Sequence, residues 1–498
     1  MKRKFLVFLA VGLGAGVLFG SGQHDDSRKG HFPGIREKSD FEIPGPGERT
    51  LAVVGGTIID GTGNPPLSPG TILISGNKIV EIGPEKQVRI PPDAIRIEAR
   101  DKFIIPGLMD SNVHLIISRT LEFLARQETH FEDLIEEAAQ VALKHGQTTV
   151  FDTWGPLQPI LNVRDRIQRG EVIGSRIFAA GNCIGMSGPL GRDLSMNRDV
   201  EKLATRPFAD RINPLWEENV GPDLGFMTEE QVRKEIRRYV GRGVDFLKYA
   251  SSGHNPGHTS FIVFSESVQK AIVEEGHSAG LTVQAHTTSV ETLRLAIEAG
   301  VDLITHAEPT GNFEIPGTTI SKLAAPRIPC GVMPKTQKRY GIEGLLYPAK
   351  HREMEVWKNN ELSLFRAGVP LLINTDGGLW DPDHIGNFPP EYWTDYEAII
   401  GEGYFMRIRG FAELGLSPME IIQAGTKNVA EAYHKLDLLG TLEKGKLADL
   451  VILDADPLAD VENIRRISRV IKDGRTIDTD RLPLKKILFP HQKKLFLP

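Results

Sequence analysis

The chain has 498 residues, with 59 Lys and Arg against 65 Asp and Glu, so its formal net charge is −6. This slightly acidic balance excludes a basic nucleic-acid-binding surface as the main feature. Apolar residues make up 40% of the chain and charged residues 25%, which is typical of a globular protein rather than a disordered one. The two cysteines are too few for a disulfide scaffold or a cysteine-rich metal module. We therefore expect a large, mildly acidic globular protein and interpret it as an enzyme.

The first 22 residues have the pattern of a secretory signal peptide. Basic residues at positions 2–4 precede an apolar run at 5–19, and small residues follow it. Because this run is shorter than the ~20 residues that span a bilayer, we expect cleavage and a periplasmic or secreted protein. An uncleaved, membrane-associated form is the alternative. Residues 23–48 are rich in Gly, Pro and charged residues, which predicts a flexible lead-in.

Two cysteines in an exported protein raise the question of a disulfide. Cys183 and Cys330 would meet oxidising conditions outside the cytoplasm and could pair there. Each, however, stands beside apolar or small residues, which favours two buried free thiols.

Both ends of the chain have the texture of a small β-rich unit. Residues 49–105 contain short β-branched runs separated by Gly, Asn-Lys and Asp-Lys turns. Residues 437–480 return to the same pattern. We predict one small flanking β-sandwich domain built from both ends of the chain. Residues 481–498 carry four lysines among apolar residues and form a C-terminal tail without an assigned role.

The long central region, 106–436, alternates short apolar runs with helical patterns. In residues 266–280, for example, apolar residues recur at three- and four-residue spacing until Gly280 ends the pattern. Together with residues 103–110, the predicted strands are residues 148–154, 175–181, 245–253, 281–286, 302–307, 329–334 and 370–376. This alternation is typical of a parallel sheet, and about eight such units predict an α/β fold, a (β/α)8 TIM-type barrel.

Metal-binding and proton-transferring side chains stand where these strands end. They are Asn112, His114, Lys248, His286, His306 and Asp376. Each alone has an ordinary explanation, such as a hydrogen-bonded histidine or an aspartate in a turn. Because barrel enzymes place their catalytic groups at the carboxyl ends of the strands, their joint occurrence favours one functional site.

These segments resemble the amidohydrolase superfamily, in its imidazolonepropionase-like and Xaa-Pro-dipeptidase-like branch. The resemblance runs in order from about residue 50 to 477. The matching stretches are VVGGTIIDGTG (53–63), FIIPGLMDSNVH (103–114), VDFLKYASSG (244–253), AHTTS (285–289), AGVDLITHAE (299–308), INTDGG (373–378), GTKNVAEA (425–432) and GTLEKGKLADLVILDADPL (440–458).

The resemblance implies a site with one or two divalent metal ions, Zn²⁺ or another. His114 would bind the first metal, and Lys248, converted by CO₂ to a carbamate, would bridge both. His286 and His306 would bind the second metal, and Asp376 would contact the first metal and act as general base and acid. A carbamate oxygen suits hard or borderline divalent ions, and such ions lower the pKa of bound water toward ~7.

One position departs from the family pattern. The family has His-x-His after the first strand, whereas this chain has Asn112 before His114. An amide oxygen is a weaker zinc donor than imidazole, so Asn112 is a doubtful ligand. Three outcomes are open: two metals with a weak first one, a single metal at Lys248, His286 and His306, or a catalytically degenerate protein.

Four further residues are candidates for substrate binding. His254 and His258 follow the Lys248 strand. Trp154 follows an earlier strand and would either form a pocket wall or pack in the barrel rim. Tyr340, with Arg339 beside it, could bind a substrate carboxylate, although an exposed basic loop explains the same segment. Solvent-exposed loop histidines are the corresponding simple explanation for His254 and His258.

The sequence thus predicts a metal-dependent hydrolase of C–N bonds in small molecules, with Asp376 as proton shuttle. An N-acyl amino acid or an Xaa-Pro-like dipeptide is the expected substrate. A cyclic-amide or lactone hydrolase with the same site is one alternative, and an exported, non-catalytic binding protein is the other. A homo-oligomer is left open, and no nucleic-acid partner is expected.

Overall fold

The computed structural model describes residues 50–117, 121–191, 205–255, 259–380, 396 and 398–489. The predicted signal peptide and flexible lead-in lie outside the described residues. Within those residues, we find no helix of sufficient length and apolarity to cross a bilayer.

The strands are short, and most of them are buried. They are β1 (Thr50–Ile58), β2 (Leu67–Ser75), β3 (Lys78–Pro84), β4 (Ile95–Glu98), β5 (Phe103–Pro106), β6 (Leu108–Ile117), β7 (Gln147–Asp152), β8 (Arg176–Ala179), β9 (Cys183–Ile184), β10 (Leu247–Ala250), β11 (Ser252–Asn255), β12 (Thr259–Ile262), β13 (Val283–His286), β14 (Leu303–Thr305), β15 (Cys330–Val332), β16 (Leu371–Ile373), β17 (Gly377–Trp380), β18 (Leu450–Leu453), β19 (Ile467–Lys472) and β20 (Arg475–Ile477).

Helices separate most of the strands in the central region. They are α1 (Leu121–Gln127), α2 (Phe131–Lys144), α3 (Leu157–Gln168), α4 (Arg206–Glu217), α5 (Glu229–Val240), α6 (Glu266–Ser278), α7 (Val290–Ala299), α8 (Gly317–Ala324), α9 (Gln337–Leu346), α10 (His351–Arg366), α11 (Glu402–Leu414), α12 (Pro418–Ala424) and α13 (Lys427–Ala432).

Side-chain caps fix where several of these helices begin. The Thr228 hydroxyl accepts a bond from the Gln231 N–H at the start of α5, and the Gln231 side chain accepts one in return from the Thr228 N–H. Ser417 and Glu420 form the same capping box at the start of α12. Such caps satisfy N–H groups that have no partner inside the helix. The sequence therefore determines these helix starts locally.

The two chain ends build one mixed sheet of eight strands. Its order is β20-β19-β18-β5-β1-β2-β3, with β4 beside β1. Leu51 and Val53 pack into one apolar cluster, and Ala52 and Val54 pack into another, so alternate residues of β1 serve opposite faces. Both chain ends contribute strands, but these strands form a single sheet, and the predicted sandwich of two sheets is not confirmed.

The central region contains two parallel sheets. One has the order β16-β15-β14-β13-β10-β9, and the other has the order β17-β6-β7-β8. Single backbone hydrogen bonds connect the margins of the two sheets. One of them runs from the Asp376 N–H to the Asn112 carbonyl (3.0 Å). The expected (β/α)8 alternation is therefore present, but the described ladders do not close into one barrel. The chain turns sharply at Gly181 (φ +72°) and at Asp376 (φ +54°), where one sheet gives way to the other.

The described part of the C-terminal tail packs on α2. The buried carboxylate of Glu137 accepts hydrogen bonds from the backbone N–H groups of Ile487, Leu488 and Phe489. The Lys144 ammonium donates to the Leu482 carbonyl at 2.9 Å. The segment 482–489, which the sequence left without a role, is thus attached to α2 through buried polar groups.

The two cysteines are both buried and free. Cys183 lies in β9 and Cys330 in β15, and no disulfide joins them. The prediction of two buried thiols is confirmed.

Candidate active site

The six strand-end residues named by the sequence lie on both parallel sheets. Asn112 and His114 lie in β6, Lys248 lies in β10, and His286 is the last residue of β13. His306 directly follows β14, and Asp376 lies between β16 and β17. Because parallel strands end at one edge of a sheet, their side chains face a common space.

Asp376 is the centre of this group. Its Oδ1 atom lies 3.0 Å from Nε2 of His114 and 3.5 Å from Nε2 of His306. The amide of Asn112 donates to the same oxygen at 2.8 Å. Side chains separated by more than 260 positions in the chain therefore converge on one carboxylate oxygen.

Asn112 joins Asp376 to Lys248. Its Oδ1 atom accepts a bond from the Lys248 ammonium (3.0 Å) and another from the Thr153 hydroxyl. Its Nδ2 atom donates to Asp376 and also to Oδ1 of Asn374 (2.9 Å). Every hydrogen-bonding position of the amide is thus used by a neighbouring side chain.

Burial shifts the pKa of one site residue, and neighbouring charges shift the pKa of another. Burial lowers the pKa of the Lys248 ammonium, against the opposing influence of Cys183 and Asp376. Removal from solvent alone would raise the pKa of Asp376, but the neighbouring rings of His306 and His114 hold it well below its usual range. Asp376 is therefore ionised at neutral pH and acts as an acceptor.

Two of the site residues have left-handed backbone conformations. The φ angle is +61° at His306 and +54° at Asp376. Such angles are uncommon outside glycine, although Asn, Asp and His adopt them more readily than other residues. This strain turns both side chains toward the site directly after a buried strand.

Aromatic rings border the group. The rings of His286 and His306 are 5.1 Å apart and edge-to-face. The indole of Trp154 is 5.9 Å from the His114 ring, also edge-to-face, and the residue is buried. Trp154 therefore lies beside His114, and its role as a pocket wall stays a prediction.

The remaining substrate-binding candidates lie elsewhere or are not described. Tyr340 and Arg339 belong to α9 rather than to an exposed basic loop, which corrects that interpretation of the segment. Arg339 is 1% exposed and bonds to Glu343 at 3.0 Å, while the Tyr340 hydroxyl donates to Glu361 at 3.5 Å. His254 belongs to β11, but its side chain lies outside the described part of the chain, as does all of His258.

Three buried residues of the site were missed by sequence reasoning. They are Thr153, Asn374 and Asp152. The Thr153 hydroxyl also accepts a bond from the Lys248 ammonium at 3.1 Å. Burial raises the pKa of Asp152 to about 7, although bonds to backbone N–H groups and the charge of Lys248 oppose this. All three stand at or beside strand ends, and this position was the signal that could have identified them.

The donor types of a divalent metal site are present, but they contact each other. Within the described ranges, no three His, Cys, Asp or Glu side chains surround a common metal position. His114 and His306 instead contact one oxygen of Asp376. Imidazole nitrogens beside an ionised carboxylate are the donors that zinc and similar ions select, so the chemistry of the set fits such an ion.

Comparison with known proteins identifies the family of this chain. The model of the Amidohydrolase family matches residues 103–477. The chain is 39% identical to a solved structure of molinate hydrolase. The match covers 89% of this chain and 97% of the molinate hydrolase chain, with a TM-score of 0.85. A structure of phenylurea hydrolase B is 36% identical, covers 88% of this chain and 99% of that one, and has a TM-score of 0.84.

A curated relative extends the comparison to a third activity. Imidazolonepropionase of Shouchella clausii (strain KSM-K16) is 23% identical over 84% of this chain and 87% of its own length. The solved structures of molinate hydrolase and phenylurea hydrolase B imply a TIM-barrel-like α/β fold for this chain. They are hydrolases, so a non-catalytic binding protein is not supported. The chain belongs to the amidohydrolase family and is a hydrolase of carbon–nitrogen bonds.

Proposed function

We propose that this enzyme is a metal-dependent hydrolase of a C–N bond in uncharged, N-substituted small molecules such as substituted ureas. The observation that carries this proposal is the convergence of His114, His306 and Asn112 on Oδ1 of Asp376. The arrangement holds an ionised carboxylate beside metal-binding imidazoles at the ends of parallel strands.

The substrate class rests on the more similar relatives. Molinate hydrolase and phenylurea hydrolase B are 39% and 36% identical to this chain, whereas the Xaa-Pro dipeptidase structure is 22% identical. The last value supports a shared fold alone. We therefore prefer substituted ureas and related amides over the N-acyl amino acids and dipeptides that the sequence suggested.

Hydrogen bonding of Asn112 supports one metal ion rather than two. Its Oδ1 atom already accepts bonds from Lys248 and Thr153, which occupy the lone pairs that a metal would need. His286, His306 and Asp376 would hold the ion, with His114 beside them. Bound there, a divalent ion would polarise the substrate carbonyl and make water more acidic. These bonds belong to an unmodified Lys248 ammonium, and a carbamate on Lys248 stays the alternative prediction.

The protein groups then have separate tasks. Asp376 takes a proton from the attacking water at Oδ1 and later gives it to the departing nitrogen. The water oxygen forms the new bond to the carbonyl carbon, the C–N bond breaks, and the amine leaves with the proton. His114 and Asn112 fix the direction of the carboxylate. Trp154 excludes water from one side of His114.

A cyclic-amide or lactone hydrolase remains the second candidate. The resemblance to imidazolonepropionase over 84% of the chain favours it. The two candidates share every residue of the site, and they differ in whether the scissile bond belongs to a ring.

The test is metal analysis of purified protein combined with a substrate screen. We expect about one divalent ion per chain, turnover of phenylureas, loss of turnover with a chelator and recovery when zinc is returned. Asp376→Asn is the matched control, because Asn tolerates the same backbone conformation and cannot move the proton. Full turnover in metal-free protein would contradict metal dependence. Turnover of dipeptides or of lactams alone would contradict the substrate class.

We also propose that the protein is exported and that its signal peptide is removed. The basic, apolar and small-residue order of residues 1–22 supports this. Amino-terminal sequencing of protein from the native host would find a start near residue 23. A start at Met1 in a membrane fraction would favour the anchored form instead.

A further inference from the structure

A cavity of about 460 Å³ lies beside the segments that directly follow β9 and β12. We call it the rim pocket. Its described lining residues are Gly185, Ser187, Gly191, Glu217, Pro222, Asp223, Gly225, Phe261, Ile262 and Val263. This volume is within the range that binds small organic ligands.

Two segments that contact β10, the strand of Lys248, lead to the rim pocket. Cys183 of β9 pairs in register with Lys248, and Gly185 follows two residues later. On the other side, Val263 donates its N–H to the carbonyl of Ser251, three residues beyond Lys248. The rim pocket thus borders two segments that flank β10, the strand that carries Lys248.

The walls of the rim pocket are firmly packed. A Cβ atom at Gly185 (φ +92°) would come within 2.6 Å of the Phe264 ring. The Phe261 ring lies on Gly253, where a Cβ atom would be 2.4 Å from its Cζ. Phe261 as a whole nevertheless remains 42% exposed. An aromatic surface is therefore held in place without being covered.

The charges of the rim pocket have one sign. Glu217 lies in one wall and accepts the Gly188 N–H at 2.9 Å, and Asp223 is exposed beside it. Among the described lining residues, none is Lys, Arg or His. Arg339, which the sequence offered as a carboxylate-binding group, is buried in α9. A substrate carboxylate would therefore meet repulsion here rather than a partner.

We propose that the rim pocket binds the apolar N-substituent of an uncharged or cationic substrate and selects against carboxylate-bearing substrates. Phe261 supplies the apolar contact surface, and Asp223 contributes the charge discrimination. This inference rests on the proposed C–N hydrolysis, because it assigns part of that substrate to this cavity.

The first test measures binding without catalysis. Aniline and benzoate have the same ring but differ in charge at neutral pH, and titration calorimetry on the full holoenzyme measures both. We expect aniline to bind more tightly than benzoate, and Phe261→Ala to weaken aniline about tenfold. Asp223→Lys should strengthen benzoate about threefold, and 1 M salt should remove this gain. Leu345→Ala, which removes an 86% exposed side chain in α9, is the control.

The second test measures turnover of a phenylurea and of an N-methylurea. Phe261→Ala should raise KM for the phenylurea about tenfold and leave the N-methylurea nearly unchanged. Gly253→Ala, which displaces the Phe261 ring, should act in the same direction. A matching pair of effects would show that the ring itself, rather than the fold, is responsible.

The outcomes separate this inference from the proposed function. Phenylurea turnover with the same KM in Phe261→Ala overturns the rim pocket and leaves the function intact. Aniline binding that depends on Phe261 in an enzyme that hydrolyses no urea supports the pocket and rejects the proposed substrate. A changed oligomeric state of Phe261→Ala by light scattering, with unchanged binding, would overturn the pocket and make this face an interface between copies.

Discussion

The candidate active site and the flanking eight-stranded sheet use their buried groups in opposite ways. In the sheet, β1 contributes apolar residues to both faces, and ion pairs of Asp449 and Asp473 with Arg176 lie where the sheet meets β8. In the site, the buried side chains of Asn112, Thr153, Lys248 and Asn374 are polar and bond to one another.

The difference shows where this chain gives up stability for chemistry. Apolar burial stabilises the sheet by roughly 25 cal/mol for each Å² removed from water. Buried polar groups only recover what their desolvation costs, and left-handed residues such as His306 and Asp376 add strain. Changes in the sheet should therefore lower stability, whereas changes in the site should lower activity.

The largest effect is expected at Asp376. Asp376→Asn keeps the volume and the backbone conformation but removes the proton acceptor, so kcat should fall about 1,000-fold. The melting temperature should change little, because the strain of the site remains. Activity assays and thermal unfolding of the same preparation measure both. A variant that retains a tenth of the activity would exclude Asp376 as the proton shuttle.

The next largest effect is expected where the flanking sheet meets β8. Arg176 of β8 forms ion pairs with Asp449 and Asp473, and Arg176→Met would leave two carboxylates without this partner. We expect a loss of about 3 kcal/mol in the free energy of unfolding with kcat preserved. Denaturant titration measures the loss. Arg169→Met, at an exposed ion pair with Glu171, is the control and should have no measurable effect.

The ion pair of Arg176 with Asp473 makes the expected loss of stability in Arg176→Met depend on pH. Burial alone would raise the pKa of Asp473, but the charges of Arg176 and Lys472 lower it below its ordinary value of 3.8. The stabilisation is therefore complete above pH 3.8 and is lost as the pH falls through the lowered pKa. The stability difference between wild type and Arg176→Met should shrink below pH 3.8. A difference that stays constant on acidification would contradict the ion pair as its source.

A smaller loss of stability is expected at the C-terminal attachment. Glu137→Ala leaves the backbone N–H groups of residues 487–489 without their acceptor, which should cost about 2 kcal/mol. Limited proteolysis should then remove the C-terminal residues first, with activity unchanged. Asp133→Ala, which removes partly exposed pairs with Lys485 and His130, should leave the segment protected.

The smallest effect is expected at Thr153. Thr153→Val keeps the shape but removes the hydroxyl that joins Asn112 to Lys248, so kcat/KM should fall about tenfold. Thr153→Ser should restore most of the activity, because it restores the hydroxyl. Equal activity in the Val and Ser variants would mean that this bond does not position the site.

Much of the fold followed from local patterns. The strand predicted at 148–154 is found at Gln147–Asp152, and the one at 281–286 is found at Val283–His286. Apolar runs between turn residues are local patterns, and so are helix caps. Both can therefore be recognised in the sequence without knowledge of the tertiary structure. Closure of the barrel was not such a signal, because it depends on the register of strands that are short and separated by sharp turns.

The interpretation of α9 shows the limit of local reasoning. The segment QKRYG is polar and basic, which is typical of an exposed loop, yet Arg339 is buried. Its charge is compensated by Glu343 one helical turn away, and its guanidinium lies over the Tyr396 ring at 4.8 Å. Partners of this kind decide burial, and Tyr396 is distant in sequence.

The sequence by itself determined which residues end the strands and what chemistry their side chains carry, because strand ends and donor types are local properties. Only the tertiary structure decided that Asn112 is a hydrogen-bonding centre between Lys248, Thr153, Asn374 and Asp376. Its partner Asn374 is 262 positions away in the chain. Contacts over such separations depend on the packing and register of two sheets, which no single segment encodes.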